Sequence, residues 1–180
     1  MGATTPEGYG DYFAWGETAT KTTYTWPTYK YSNSGEGWWL TKYCNDVLCG
    51  YNGFTDNLIA LLPEDDVATA NWGSGWCMPT KEQWEELYQN TTNTWTTQNG
   101  VSGRLFTSSN SKSLFLPAAG AYGESGDLFG DGAYGLFWSS SLYINNPFDA
   151  WLFYFDSNNY GVGGDERSGG CSVRPVCSAK

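Results

Sequence analysis

The feature that most constrains the fold of this sequence is an alternation of side-chain character between Ala150 and Asp156. Large aromatic side chains fill the odd positions, which are Trp151, Phe153 and Phe155. The even positions mix apolar, phenolic and acidic side chains, namely Leu152, Tyr154 and Asp156. Because successive side chains of a β-strand point to opposite faces of its sheet, the pattern predicts a strand with an aromatic core face and an outward contact face.

A second local pattern predicts a helix that starts after Thr80. Thr80 and Gln83 have the spacing of a capping box, in which each side chain accepts a hydrogen bond from the other residue's backbone N–H. Trp84, Leu87 and Tyr88 follow at the spacing that puts them on one helical face. The sequence therefore predicts a helix of about three turns, with its glutamates on a solvated face.

Weaker patterns predict the remaining elements. Pro63 is followed by three acids, which indicates a short helix within residues 58–70 that ends near Gly73. Two apolar runs flank a polar turn and predict a hairpin, with strands at 104–107 and 113–116. A glycine-rich loop is expected at 120–135, a flexible or bulged edge at 161–170, and a last strand at 172–176.

Few helices early and short strands late predict an α+β fold, with two short helices packed on small antiparallel sheets and joined by long loops. Hydrophobic residues make up 40% of the chain and charged residues 16%, which is a globular composition. At 180 residues the chain has room for one domain with a real core, so residues 1–180 are interpreted as a single domain. The aromatic share of 18% is typical of a rigid recognition surface or of an aromatic core in a loop-rich fold.

Charge and hydropathy argue against nucleic acids and membranes as partners. Lysine and arginine number 9 against 19 acidic residues, and the net charge is −10. That leaves too few cations to neutralise a phosphate backbone. Apolar runs such as residues 58–62 are too short to cross a bilayer. We therefore expect no nucleic-acid partner and no membrane insertion by this chain.

Catalytic machinery is not indicated. The chain contains no histidine, which removes the commonest means of activating a serine or cysteine nucleophile. Asp65 with Asp66, and Asp165 with Glu166, remain as candidate acids and bases, but neighbours in sequence seldom converge on one substrate bond. We therefore expect a non-enzymatic protein with no catalytic residue.

The five cysteines are Cys44, Cys49, Cys77, Cys171 and Cys177, and their spacing matches no zinc site. Cys44 with Cys49, and Cys171 with Cys177, are close enough in sequence to close small disulfide loops; buried free thiols are the equal alternative. Acids that offer oxygen ligands for calcium are Asp56, Asp65, Asp66, Asp127, Asp131 and Asp165. No EF-hand spacing occurs among them, so no cofactor is expected and calcium alone stays open.

Four ordered motifs resemble a known bacterial family. They are residues 72–87 (WGSGWCMPTKEQWEEL), 115–120 (FLPAAG), 137–141 (FWSSS) and 172–176 (SVRPV). The sequence is similar to the "major paralogous domain" family of bacterial surface proteins, within the wider C-type-lectin-fold group. That group also contains the variable proteins of diversity-generating retroelements, including a phage tropism determinant. The resemblance covers nearly the whole chain.

The resemblance implies a C-type-lectin-like fold whose residues 121–177 carry a variable ligand-binding face. The positions that vary in retroelement-diversified members correspond here to Tyr143, Phe148, Asp149, Leu152, Tyr154, Asp156, Asn158, Asn159, Gly161, Gly163, Gly164, Asp165, Glu166, Ser168, Gly169 and Cys171. It also implies a protein or carbohydrate ligand on a cell surface, and display of this chain outside the cell, at the cell surface or on a phage virion.

Two other interpretations stay open. Formylglycine-generating enzymes share the lectin-like fold and use two C-terminal cysteines, which implies a copper oxidase built on Cys171 and Cys177. The spacing of these cysteines differs from that family's pattern, and Cys171 falls at a variable position. A purely structural surface domain would favour a flat, polar C-terminal face, whereas this segment carries aromatic residues among glycines and asparagines.

Overall fold

A computed structural model describes residues 1–33, 39–123 and 125–177. Over these residues the chain is mostly β-sheet with two α-helices, so the predicted α+β class is confirmed at that level. The helices are Val67–Trp72 (α1) and Lys81–Gln89 (α2), and short 3-10 turns lie at Trp26–Thr28 and Tyr51–Gly53. The strands are Tyr12–Phe13 (β1), Trp76–Cys77 (β2), Thr92–Gln98 (β3), Val101–Thr107 (β4), Ser113–Pro117 (β5), Ala119–Tyr122 (β6), Leu128–Asp131 (β7), Gly135–Leu142 (β8), Asp149–Phe155 (β9), Tyr160–Glu166 (β10), Cys171–Ser172 (β11) and Val176–Cys177 (β12).

Both predicted helices are present, and their caps explain where they begin. The Thr80 hydroxyl accepts from the Gln83 N–H at 3.3 Å, and the Gln83 amide oxygen accepts from the Thr80 N–H at 2.9 Å, so the capping box is confirmed. Helix α1 ends where predicted but begins later. Asp66 is its N-cap and accepts from the N–H groups of Ala68 and Thr69 at 2.9 and 3.0 Å. The acids before Asp66 form a turn that leads into the helix.

The strands form a central sheet and two smaller ones. The central sheet has the order β1-β11-β8-β6-β7, with β9 antiparallel to β8 and β10 antiparallel to β9. Strands β3, β4 and β5 form a separate antiparallel sheet, and β2 pairs with β12. The predicted hairpin at 104–116 is confirmed as β4 and β5, with Arg104 opposite Leu116 and Thr107 opposite Ser113.

One core covers the aromatic face of strand β9, and a second core covers Leu152 on the other face, which corrects the expectation that Leu152 faces outward. Tyr154, on the same face as Leu152, is exposed as expected. Phe153 and Phe155 pack in one core with Trp84 of α2, as the aromatic face was expected to do. Leu152 lies on the other face, where it packs with Trp138 in a second core built mostly from the first half of the chain. Its exposure is only 2%, so Leu152 is not a surface residue.

The glycine-rich segments are more regular than predicted. Residues 120–135 contain the β6–β7 pair instead of a loop, with Ala121 opposite Phe129. The expected flexible or bulged edge at 161–170 is, over residues 160–166, a regular edge strand, because β10 pairs with β9 residue by residue from Tyr160 to Glu166. The predicted last strand, residues 172–176, is divided between β11 and β12, which belong to different sheets. Val173, Arg174 and Pro175 form the connection between these two strands.

Two smaller expectations concern cysteines and membranes. All five cysteines are free thiols, with Cys44 and Cys171 buried and Cys77 and Cys177 exposed. Neither short disulfide loop is formed. No helix within the described residues has the length and apolar character required to span a bilayer.

Candidate functional site

One face of the central sheet presents a row of residues that runs across five strands. Phe129 of β7 lies opposite Ala121 of β6, and Leu136 of β8 lies opposite Tyr154 of β9. Tyr154 in turn lies opposite Gly161 of β10. The two halves of the row meet where β6 and β8 pair in parallel, and Ala121 and Leu136 both pack on the core that contains Trp138 and Leu152. We use the name concave face for the surface formed by this row together with Gly123 and Gly163, the glycines beside its aromatic rings.

The aromatic rings of the concave face lie close to glycines. A Cβ atom on Gly161 or Gly163 would come within 3.3 Å of the Tyr154 ring or its hydroxyl. A Cβ atom on Gly123 would come within 3.2 Å of the Phe129 ring. The two rings are nevertheless exposed to solvent, Tyr154 by 39% and Phe129 by 47%. Glycine at these positions therefore lets two accessible aromatic rings approach the sheet closely.

Between Phe129 and the loop after β10 lies a cavity of about 260 Å³. Its lining residues are Ala121, Tyr122, Gly123, Phe129, Asp165, Glu166, Gly169 and Cys171. Tyr122 is held from behind, with its ring stacked on Tyr24 at 5.1 Å and its N–H bonded to the Gly170 carbonyl at 2.8 Å. The cavity thus combines fixed aromatic walls with carboxylate-bearing residues.

Asp165 is the partly buried carboxylate of this cavity. Its Oδ1 accepts a hydrogen bond from the backbone N–H of Glu166 at 2.9 Å. Burial raises the pKa of the Asp165 carboxyl; the hydrogen bond from Glu166 acts in the opposite direction, and the Asp149 carboxylate raises the pKa further. A carboxylate in this setting gains more from a cationic or hydrogen-bond-donating partner than one in open solvent does.

Cys171 lies in the floor of the cavity and is a poor nucleophile. Burial raises the pKa of its thiol well above the usual range, and the nearby Asp165 carboxylate acts in the same direction. Since the thiolate is the reactive form, the neutral thiol behaves here as a small apolar side chain. Cys177, its partner in the copper-oxidase interpretation, lies in a different sheet, opposite Trp76.

The structure brings together one subset of the predicted contact residues. Those on the concave face or at its cavity are Tyr154, Gly161, Gly163, Asp165, Glu166, Gly169 and Cys171. Cys171 is exposed by only 2% and Ser168 by 1%. The expectation that these two residues are exposed contact positions is therefore wrong. Cys171 is buried because β11 is an inner strand of the central sheet, between β1 and β8.

A second subset lies at the β9–β10 turn. The Asp156 carboxylate accepts from the N–H groups of Asn158 and Asn159 at 2.6 and 2.8 Å. These hydrogen bonds lower the pKa of Asp156. Asp156 therefore has a structural role in the turn, and both asparagines are exposed.

A third subset lies away from the concave face. The Tyr143 ring is 4.5 Å from that of Trp151, and both belong to the opposite side of the hairpin together with Gly164. Phe148 packs edge-on against Trp26 at 5.6 Å, and Asp149 accepts from Asn146 at 2.9 Å. The predicted set therefore does not form one continuous surface.

Sequence reasoning missed the residues contributed by β6 and β7. Tyr122, Gly123 and Phe129 lie in the segment that was expected to be a loop. The available signal was the apolar pair Leu128–Phe129 followed by glycine, which resembles the end of a short hairpin strand. Long-range pairing of β6 with β8, which brings these residues into the central sheet, leaves no local signal.

The remaining candidate calcium ligands have other roles or are dispersed. Asp65 accepts hydrogen bonds from the hydroxyls of Tyr31 and Tyr43 and from the ammonium of Lys42. Asp56 accepts from three backbone N–H groups, while Asp127 and Asp131 are exposed. Within residues 1–33, 39–123 and 125–177, no three acidic or cysteine side chains are grouped as metal ligands.

Comparison with family models, with curated proteins and with solved structures gives no significant match to this chain.

Proposed function

We propose that this protein is a non-catalytic binding module that recognises a protein or glycan on a cell surface through the concave face. The observation that carries the proposal is the presence of two accessible aromatic rings, Tyr154 and Phe129, on one face of the central sheet, with Ala121 and Leu136 in the row between them. Rigid aromatic rings supply large contact area at low entropic cost, and they are enriched among the residues that dominate binding energy. The cavity that Phe129 lines adds a site for a polar group of the ligand.

The motif resemblance points in the same direction. A C-type-lectin-like fold related to the variable proteins of diversity-generating retroelements would use its C-terminal third for ligand binding. Tyr154, Gly161, Gly163, Asp165 and Gly169 are positions of that kind, and they share the concave face. We propose the same origin for this chain, with display at a cell or phage surface.

The chemistry of the face favours binding over catalysis. The chain has no histidine, and the Cys171 thiol is buried and neutral. Cys171 and Cys177 lie in different sheets, and this arrangement does not favour a copper site that uses both thiols.

The proposal is tested by screening the protein against immobilised glycans and bacterial surface proteins. The double variant Tyr154→Ala/Phe129→Ala should lose the interaction that the wild type shows. Tyr160→Ala is the matched control, because Tyr160 is exposed by 41% in the same hairpin but points to the other side, against Tyr88. Retention of binding by the double variant, or equal loss in the control, would refute the assignment of this face.

A further inference from the structure

The Asp165 carboxylate lacks a countercharge. In the described part of the chain the ion pairs involve Glu17, Glu64, Asp65 and Glu85, and none reaches Asp165. Among the described residues, Asp165 accepts a hydrogen bond only from the backbone of its neighbour, Glu166. A partly buried carboxylate without a cation is costly, and the cost falls when a ligand supplies the missing charge.

The walls of the cavity suit a cation as well. Phe129 and Tyr122 line it on the side of β6 and β7, and the face of an aromatic ring attracts a positive charge. Ala121 and the neutral thiol of Cys171 supply apolar surface beside them. Such surroundings fit the aliphatic stem of a basic side chain whose charged end reaches Asp165.

The net negative charge of the chain also favours a cationic ligand. The net charge is −10, and lysine and arginine together number only 9. An excess of negative charge raises the local concentration of cationic partners and repels anionic ones.

From these observations we propose that the cavity beside Asp165 binds a lysine or arginine side chain of a protein ligand, with the ammonium or guanidinium group on the Asp165 carboxylate and its stem against Phe129 and Tyr122. This inference rests on the proposed function and narrows its ligand to a protein with an exposed basic residue. A sugar ring would require several hydrogen-bonding groups, whereas the cavity is lined mainly by aromatic and small apolar residues.

The first test is a nuclear magnetic resonance titration with small probes. The probes are the N-acetyl amides of lysine, arginine, norleucine and glutamate, together with glucosamine as a cationic sugar. Lysine and arginine amides should shift the backbone resonances of Gly123 and Asp165 saturably. Norleucine, which keeps the stem without the charge, and glutamate should bind at least roughly tenfold more weakly. Equal binding of norleucine, or tighter binding of glucosamine than of lysine, would overturn the proposal.

Two matched variants locate the effect. Asp165→Asn retains an oxygen that can accept from the Glu166 N–H, yet it should weaken binding of the lysine amide by roughly tenfold or more. Asp156→Asn removes a carboxylate from the exposed turn of the same hairpin and should leave the affinity unchanged. Thermal melts of both variants verify that they remain folded. Equal affinity of wild type and Asp165→Asn would overturn the proposal.

A second measurement separates this inference from the proposed function. The ligand captured by the wild type in the screen is measured against Asp165→Asn and Tyr154→Ala. Loss of binding in both variants supports the inference. Loss in Tyr154→Ala alone overturns the basic-residue assignment while the concave face stands as the binding site. Full binding by both variants overturns both proposals.

Discussion

Replacement of Asp65 by asparagine should destabilise the protein by about 2 kcal/mol at neutral pH. Asp65 is exposed by 3% and accepts hydrogen bonds from two tyrosines, Tyr31 and Tyr43, as well as from Lys42 at 2.5 Å. Burial alone would raise its pKa, but these partners outweigh burial and lower the pKa from 3.8 to about 2. A difference of about two pKa units corresponds to roughly 2–3 kcal/mol of preference for the charged form in the folded state.

The sign of the pH dependence follows from the lowered pKa. The stabilisation by ionised Asp65 is fully present above the pKa of the unfolded chain, near 3.8, and is lost as the pH falls through the folded value of about 2. Wild type and Asp65→Asn should therefore differ most at pH 6–7, roughly, and converge towards pH 2.

Urea denaturation monitored by tryptophan fluorescence, repeated between about pH 2 and pH 7, measures this difference. Asp127→Asn is the control, because Asp127 is exposed. A loss of less than about 0.5 kcal/mol in Asp65→Asn at neutral pH, or a loss that does not change with pH, would refute the reasoning.

The remaining predictions concern a cap and the thiols. Thr80→Ala removes the capping hydroxyl of α2 and should cost about 1 kcal/mol in the same urea assay, whereas Thr80→Ser should cost little; equal losses would show that the hydroxyl is not the cause. In the native protein iodoacetamide should label the exposed thiols of Cys77 and Cys177 first, with Cys44 and Cys171 reacting only after denaturation, as read by mass spectrometry. Rapid labelling of Cys171 in the folded state would contradict its buried place beneath the concave face.

Elements with a local cause were predictable from sequence. The capping box from Thr80 to Gln83 fixes the start of α2 whatever the rest of the chain does, and the polar turn before Ser113 fixes the β4–β5 hairpin. The start of α1 was misplaced because Pro63 and the acids after it resemble a first helical turn, although the chain turns once more before Asp66 caps the helix.

Elements fixed by tertiary contacts were not predictable. Strand β10 is rich in glycine and has little intrinsic strand preference, and its pairing with β9 determines its conformation. Alternation shows that a strand has two different faces, but not whether both contact a core. The even face was therefore expected to point to solvent, whereas Leu152 on that face packs in a second core. Asp165 was identified as a candidate, whereas Phe129, which shares its cavity, was missed because it comes from a strand remote in sequence.

A structure of the protein with the ligand found in the screen would show directly whether the concave face is the binding surface. We expect ligand atoms within about 4 Å of the rings of Tyr154 and Phe129 and a ligand group in the cavity beside Asp165. A ligand seated instead on the other side of the hairpin, against Tyr143 and Trp151, would contradict the claim.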